Sequence, residues 1–352
     1  MSWPSFWMHK TGMWARVLQP LGRLVCAEAR RRLQRFRSQA SVRATSAPVI
    51  VVGNVVVGGS GKTPFIVWLA NQLQNQGLSV GIVSRGYGGK SKHWPQVVTA
   101  DSEPALVGDE PVLLAKQLGC GIVVSPKRNE AIARLEAQFQ PDVIISDDGL
   151  QHYAMARDLE IVMVDAQRGF GNERCLPAGP LREPLERLES VDCIVLNGEL
   201  ASSALQQTLS VYDDKCFTMR LVPACFCRVA DPLEKRPIDA FSGQSVQALA
   251  GIGNPQRFYE TLEGLNIEVD GCDFPDHHRY TNADFAEFDP QKPLLMTEKD
   301  AVKCRQIAQH QPDLNLWYLQ VTPEADALLF ARLYQRLQPL LRSPRNSLSQ
   351  NI

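Results

Sequence analysis

The stretch GNVVVGGSGKTP, residues 53–64, follows the apolar run VIVV at residues 49–52 and precedes a helical pattern. A strand, a glycine-rich turn and a helix in this order are the context that a phosphate-binding loop requires. Glycines let backbone N–H groups wrap phosphate oxygens, and the helix N-terminus adds partial positive charge. The stretch therefore predicts a nucleotide site whose phosphate contacts come from Gly58, Gly59, Ser60, Gly61, Lys62 and Thr63.

Two positions in this loop predict its chemistry, and two others limit the match. We expect Lys62 to bridge the β- and γ-phosphates of ATP and the Thr63 hydroxyl to ligate Mg²⁺. The common GxxxxGK[ST] pattern has its first glycine where this chain has Val56. The run resembles the shorter GGxGKT variant, but Val57 stands where the ATPases with that variant carry a signature lysine. The GGxGKT variant suggests an alternative function, a P-loop ATPase of the partitioning or maturation type that acts as a membrane-associated switch. The absence of the signature lysine at Val57 argues against this alternative.

From Pro48 onward, short β-branched runs alternate with helical patterns. Runs that are apolar on both faces are typical of a parallel sheet that is covered by helices on both sides. We therefore predict an α/β fold of the P-loop NTPase type, with a second, smaller α/β domain. The runs that we interpret as strands of the first domain lie at residues 49–52, 78–84, 121–124, 142–146, 159–165 and 192–197.

Changes in composition predict how the chain is divided. We place the P-loop domain at residues 44–215 and a linker at 216–240, where the sequence pattern loosens. Residues 241–341 form the second α/β domain in this prediction, which closes over the active site. The polar tail at 342–352 is predicted to be disordered.

Residues 1–43 differ from the rest of the chain in charge and in pattern. They carry a net charge of +8 within a chain of net charge −1, and Pro20 must kink or divide the amphipathic helix that we predict over 5–37. Such a helix suits a contact in the plane of a membrane, although an ordinary helix packed on its own domain is the alternative. A nucleic-acid patch is disfavoured because the aromatic residues lie on the apolar stripe. That stripe is Trp7, Trp14, Leu18, Leu21 and Val25, and Arg16, Arg23, Arg30 and Arg37 lie opposite it.

Composition also predicts a compartment. No run of about 18 apolar residues occurs, and the N-terminus lacks the apolar core of a signal peptide. The nine cysteines follow no framework spacing, so we expect reduced, mostly buried thiols in a cytoplasmic protein.

Acidic residues follow two of the predicted elements. Asp147 and Asp148 end a buried strand, at the sheet edge where ligands bind in such folds, and we expect the pair to hold Mg²⁺. The sequence does not show which of the two contacts the metal. The run GDEP places Asp109 and Glu110 at a helix start, where Asp109 is either a catalytic group or an N-cap.

The motifs GNVVVGGSGKTP, SRGYGG, GDEP, DDGLQH, PAGPLREP, DHHRY and TEKDAVK occur in this order. Together they closely resemble the bacterial tetraacyldisaccharide 4'-kinases, over about residues 10–340. By this resemblance Asp109 is the catalytic aspartate and His277 its partner, although His278 leaves that second assignment open. TEKDAVK also fits a solvated helix start. Further residues at the substrate or transition state are expected to be Arg85, Tyr87, Glu110, Arg128, Gln151, His152, Arg182 and Glu183.

The resemblance implies an activity and a location. The reaction is the ATP-dependent phosphorylation of the 4'-hydroxyl of a tetraacylated glucosamine disaccharide 1-phosphate in lipid A biosynthesis. The protein is expected at the cytoplasmic face of the inner membrane, held there peripherally by its N-terminal helix. We expect no nucleic-acid partner and no obligate protein partner.

Overall fold

The structure is a computed structural model that describes residues 3–38, 43–200, 202–276, 278–311 and 313–341. Its strands join into one mixed sheet of 13 strands within these residues. The strands are Val49–Gly53 (β1), Val80–Ser84 (β2), Gln96–Val97 (β3), Gly121–Val124 (β4), Val143–Asp147 (β5), Leu159–Asp165 (β6), Cys193–Asn197 (β7), Cys216–Arg228 (β8), Lys235–Arg236 (β9), Ser245–Ala250 (β10), Glu268–Asp273 (β11), Leu294–Thr297 (β12) and Leu316–Ala325 (β13).

The order of the strands explains where a ligand can bind. Along the sheet it is β11-β10-β12-β13-β8-β7-β6-β1-β5-β2-β4-β3, with β9 paired to β8. The strands from β7 to β4 are parallel, which confirms the six runs and the fold class predicted from the sequence. Because parallel strands end at the same edge, the turns after β1, β2 and β5 meet there.

Helices cover both faces of the sheet. The α-helices are Met13–Val17 (α1), Gln19–Ser38 (α2), Lys62–Asn75 (α3), Pro104–Val107 (α4), Asp109–Gln117 (α5), Arg128–Phe139 (α6), Ser203–Leu209 (α7), Pro255–Glu263 (α8), Glu298–His310 (α9) and Ala327–Leu337 (α10). One core lies under α3, α5 and α10, and a second lies under α6 and α7. The strands β10, β12 and β13 have cores of their own against α8 and α9.

Two features of the domain division differ from expectation. Residues 216–228 form the long strand β8 instead of an irregular linker, and β8 pairs with β7 at one end and with β13 along its length. The closing helix α10 was assigned to the second domain, but its buried Leu329, Leu333 and Leu337 pack in the core of α3. The amphipathic pattern of a helix predicts which of its faces is buried, but it does not predict against which core that face packs. The domain boundaries themselves stay a prediction.

The N-terminal segment consists of a 3₁₀ turn at Ser5–Trp7 followed by α1 and α2, which divide just before Pro20 as predicted. The segment packs on the P-loop region through Ala15 and Gly22, both buried. A Cβ atom at Gly22 would lie 2.8 Å from the Cys175 carbonyl oxygen, so this close approach requires glycine.

One cysteine pair corrects the expectation of reduced thiols. A disulfide bond joins Cys26 of α2 to Cys175, so the prediction of reduced thiols is wrong for these two residues. The spacing of the cysteines gave no sign of the pair, because 149 residues separate them.

An apolar stripe on α1 and α2 remains exposed. It differs from the predicted one, because Trp7 is half-buried and its indole Nε1 donates to the Pro177 carbonyl oxygen (3.1 Å). No helix among the described residues is long and apolar enough to cross a bilayer. The exposed stripe, which we call the N-terminal stripe, consists of Met13, Trp14, Val17, Leu21 and Leu24.

Candidate active site

A cleft of about 1860 Å³ opens at the edge of the sheet where β1, β2 and β5 end. The cleft is lined by the glycine-rich loop and by residues 252–254 and 297–299 of the second region. The predicted nucleotide residues Gly58, Gly59, Ser60, Gly61, Lys62 and Thr63 all line this cleft.

The glycine-rich loop is held by polar groups before any ligand binds. The Asn54 side-chain amide donates to the Gly58 carbonyl oxygen (3.0 Å) and to the Ser60 hydroxyl (3.3 Å). Gly58 and Gly61 have φ of +99° and +84°, which L-residues with a Cβ rarely adopt. The loop is therefore preorganised, and α3 begins directly after it at Lys62.

The valines that interrupt the common P-loop pattern have a structural role. Val56 forms an isolated bridge with Leu181, and the backbone N–H of Arg182 donates to the Val55 carbonyl oxygen (2.7 Å). The segment before the glycines thus pairs with the PAGPLREP segment. This pairing places the Arg182 side chain at the cleft.

Lys62 and Arg182 converge on one carboxylate. The Lys62 ammonium lies 3.4 Å from Asp148 Oδ1, and Arg182 Nη1 donates to Asp148 Oδ2 (3.1 Å). Burial alone would raise the pKa of Asp148, but the two cations outweigh it and hold the pKa well below its ordinary value. Asp148 is therefore ionised and serves as the partner of both cations.

Asp147 has different surroundings. Its Oδ2 accepts a hydrogen bond from the Ser84 hydroxyl (2.8 Å), while its buried Oδ1 has no hydrogen-bond partner among the described residues. Burial first, and then the nearby Glu110 and Asp148 carboxylates, raise the pKa of Asp147 to about 6. A buried carboxylate oxygen without a partner fits a metal ion, which would supply the missing positive charge. The predicted ligand Thr63 lies in the same cleft.

Asp109 and Glu110 begin α5, and Gly108 is the N-cap residue of that helix. The alternative that Asp109 is the N-cap is therefore wrong. Its buried carboxylate lies 3.9 Å from the ammonium of Lys299, which also contacts Glu110 (2.9 Å) and Asp276 (3.2 Å). These four charged groups form a cluster where the P-loop region meets the second region.

Two of the predicted substrate residues lie behind the cleft instead of lining it. The buried Arg128 donates from Nη1 to the Ser125 carbonyl oxygen and from Nη2 to that of Asp147, both at 3.0 Å. The buried Glu183 accepts hydrogen bonds from the Tyr153 hydroxyl and from Gln151. Both residues therefore brace the backbone and side chains that line the cleft, and the sequence did not predict their burial.

The other predicted substrate residues, except His152, line the cleft. Arg85, Tyr87 and Gln151 line the cleft, and Arg85 and Tyr87 are exposed. His152 is half-buried; burial, followed by Arg128 and two further arginines, lowers its pKa to about 4. Its imidazole is therefore neutral near neutral pH.

The histidine pair is only partly described. His277 lies outside the described residues, so its role stays a prediction. His278 Nε2 lies 3.3 Å from Asp284 Oδ1, and the His278 ring packs against Phe274 and Tyr280.

Several residues of the cleft were not singled out from the sequence. Lys299 was treated as part of a charged helix start, and nothing marked Asn197 or Arg257. The Asn197 amide donates to the Ser60 carbonyl oxygen (3.3 Å), and Arg257 of α8 donates to Asn197 Oδ1 (3.1 Å). Trp3 Nε1 donates to the Val57 carbonyl oxygen (3.1 Å) beside the loop. Each of these contacts joins segments that are far apart in sequence.

Comparison with known proteins agrees with this geometry. A family model described as tetraacyldisaccharide-1-P 4'-kinase matches residues 14–338. The tetraacyldisaccharide 4'-kinase of Hydrogenovibrio crunogenus is 53% identical over 339 residues, which cover 96% of this chain and 98% of that protein. That of Methylobacillus flagellatus is 46% identical over 338 residues, 95% of each chain.

A solved structure supports the fold as well. It is the crystal structure of the "apo" form of LpxK from Aquifex aeolicus in complex with ATP. It matches with a TM-score of 0.74 at 30% identity and covers 92% of this chain and 100% of that one. The family and the P-loop kinase fold predicted from the sequence are confirmed: the chain belongs to the tetraacyldisaccharide-1-P 4'-kinase family.

Proposed function

We propose that this protein transfers the γ-phosphate of ATP to the 4'-hydroxyl of a tetraacylated glucosamine disaccharide 1-phosphate, a step of lipid A biosynthesis. The observation that carries the proposal is the meeting of Lys62 with Asp147 and Asp148 in one cleft beside a preorganised glycine loop. Phosphoryl transfer requires positioned positive charge and acidic groups at the phosphate chain, and this cleft holds both. The names of the related proteins supply the acceptor.

In this proposal the glycine-rich loop binds ATP, the phosphate donor. Backbone N–H groups of residues 58–61 would hold the phosphate chain, and Lys62 would neutralise charge on the transferring group. Thr63 and Asp147 would hold Mg²⁺, with Asp148 keeping Lys62 and Arg182 in place. When bound, Mg²⁺ would polarise the phosphoryl oxygens and neutralise their charge.

On the acceptor side, Asp109 is the base in this proposal. Its carboxylate would accept the proton of the 4'-hydroxyl as that oxygen bonds to the γ-phosphorus. The bond from the γ-phosphorus to the bridging oxygen breaks, and ADP leaves with the electron pair. A histidine that orients the base would strengthen it, and His277 is the predicted partner.

The direct test is a kinase assay with radiolabelled ATP and detergent-dispersed tetraacyldisaccharide 1-phosphate. We expect label at the 4' position of the lipid. Free phosphate as the only labelled product, with or without lipid, would favour the ATPase alternative and contradict the proposal.

A second test addresses the base. We expect Asp109→Ala and His277→Ala each to lower kcat strongly with little change in the KM for ATP. The double variant should be little worse than the worse single variant, because groups that act as a unit are non-additive. Fully multiplicative losses, or a large defect in His278→Ala with none in His277→Ala, would show that the pair is wrong.

We further propose that the N-terminal stripe contacts the inner membrane at its cytoplasmic face and makes the protein peripheral. Exposed Trp14, Val17 and Leu21, with arginines on the same helices, are typical of helices that lie in a membrane interface. Deletion of the whole segment is a poor test, because Trp3 contacts the P-loop backbone. Point changes on the stripe avoid this problem.

The membrane test therefore uses the double variant Trp14→Glu/Leu21→Glu. We expect less cosedimentation with anionic vesicles, higher KM for the dispersed lipid and unchanged ATP affinity. Leu328→Glu is the control, because Leu328 is 70% exposed on α10, away from the stripe. Equal vesicle binding by all three proteins would favour a helix that only packs on its own domain.

A further inference from the structure

Lys299 occupies a position that is unfavourable for a lysine in isolation. It is the second residue of α9, which begins at Glu298 after the capping Thr297. The N-terminus of a helix carries partial positive charge, so a cation there is repelled. Burial adds to the cost, because only 17% of the Lys299 side chain is exposed. Its placement requires compensating carboxylates.

Three carboxylates from two parts of the fold surround the Lys299 ammonium. Glu110 lies at 2.9 Å and Asp109 at 3.9 Å, and both begin α5 in the P-loop region. Asp276 lies at 3.2 Å and belongs to the second region, as Lys299 does. Burial alone would lower the pKa of Lys299, but Glu110, Asp109 and Asp276 raise it above its ordinary value. The amine therefore stays charged.

We propose that Lys299 is a positioning residue for phosphoryl transfer: its ammonium fastens Asp276 and α9 to the start of α5 and fixes the Asp109 carboxylate next to Glu110, which lines the cleft. The proposal rests on the proposed function, in which Asp109 is the base.

Lys299 joins two parts of the fold, whereas the other buried lysine of α9 does not. The contacts cross from one region to the other, since Glu110 and Lys299 are 189 residues apart. Lys303, one turn further along α9, is also largely buried, but it pairs at 2.7 Å with Asp300 of the same helix. Substitution of Lys299 therefore removes a contact between the two regions, whereas substitution of Lys303 removes a contact within α9.

The experiment compares Lys299→Met, Lys299→Arg and the control Lys303→Met in the full-length protein. We expect Lys299→Met to lower kcat for the lipid by about tenfold or more, with the Kd for ATP within about threefold of the unmodified protein. Lys299→Arg keeps the charge and should recover much of kcat. Lys303→Met should change thermal stability but leave the kcat of the folded fraction within about threefold.

Asp276→Asn provides a second route if Lys299→Met folds poorly. It should lower kcat in the same way, and Asp276→Asn/Lys299→Met should be little worse than the worse single variant. Parallel losses of kcat and ATP affinity in Lys299→Met would show a nucleotide ligand instead of a positioning residue and overturn the proposal.

Hydrogen exchange of the ligand-free protein tests the link without any activity. Amides of residues 109–117 should exchange faster in Lys299→Met and at the original rate in Lys303→Met. Unchanged exchange together with unchanged kcat would overturn the inference. A protein that fails to phosphorylate the lipid contradicts the proposed function, whereas the exchange measurement still decides whether Lys299 joins the two regions.

Discussion

The replacement of Lys62 by methionine tests the site most directly. The Lys62 ammonium is 3.4 Å from Asp148 Oδ1, and its side chain is 12% exposed. At an effective dielectric constant of about 20, unit charges at this distance attract by roughly 5 kcal/mol before desolvation is counted. Asp148 is 34% exposed and keeps Arg182 in the variant, so we expect a loss of only about 1 kcal/mol in unfolding free energy.

The effect of the same change on catalysis should be much larger. A preorganised charge that acts at the transition state contributes roughly 3–4 kcal/mol, so Lys62→Met should lower kcat by about 10²–10³-fold. The assay follows transfer of radiolabelled phosphate to the dispersed lipid, and thermal unfolding gives the folded fraction. Lys127→Met is the matched control, because Lys127 is 78% exposed and pairs with Glu130 on the surface. A folded Lys62→Met protein that keeps kcat within about threefold of the original would refute the P-loop assignment.

Two further predictions concern the metal and the loop. Asp147→Asn should raise the Mg²⁺ concentration needed for half-maximal activity, because Asp147 Oδ1 is buried and has no hydrogen-bond partner in the described part of the chain. Asp148→Asn should mainly lower kcat at saturating Mg²⁺. Equal Mg²⁺ dependence in the two variants would contradict this division. Gly61→Ala should lower thermal stability of the ligand-free protein, since the new Cβ would lie 2.2 Å from Asn197 Nδ2 at a φ of +84°. Gly59→Ala is its control, because no described residue other than its chain neighbours has an atom within 4 Å of the Cβ position there.

The parts of the site that the sequence predicted are those that depend on neighbouring residues. A strand, a glycine-rich turn and a helix are specified within about 25 consecutive residues, so residues 49–75 were predicted almost as they fold. Asp147 and Asp148 follow a strand and therefore had to lie at the same edge as Lys62. The predicted strands alternate with helices, which fixed the parallel arrangement of the first region.

The parts that the sequence did not predict depend on distant partners. The burial of Arg128 results from its contact with the backbone of Asp147, 19 residues away, and a basic residue after a strand fits a substrate contact equally well. The pattern of strand β8 does not predict a strand because Pro223 and the exposed polar residues Thr218 and Arg220 interrupt it. The disulfide bond between Cys26 and Cys175 was not predictable for the same reason, because only the packing of α2 brings the two cysteines together.

Two cations of the cleft are already paired with carboxylates before ATP binds. Lys62 is paired with Asp148 and Lys299 with Glu110, so neither of these two cations stands alone in a partly buried site. Asp147 Oδ1, which has no hydrogen-bond partner among the residues that the structure describes, is the group that a metal ion would satisfy. When phosphates approach, Lys62 can exchange a carboxylate for a phosphoryl oxygen while Asp148 keeps Arg182. Binding then exchanges one partner of Lys62 for another, and Asp148 is not left as an unpaired buried charge.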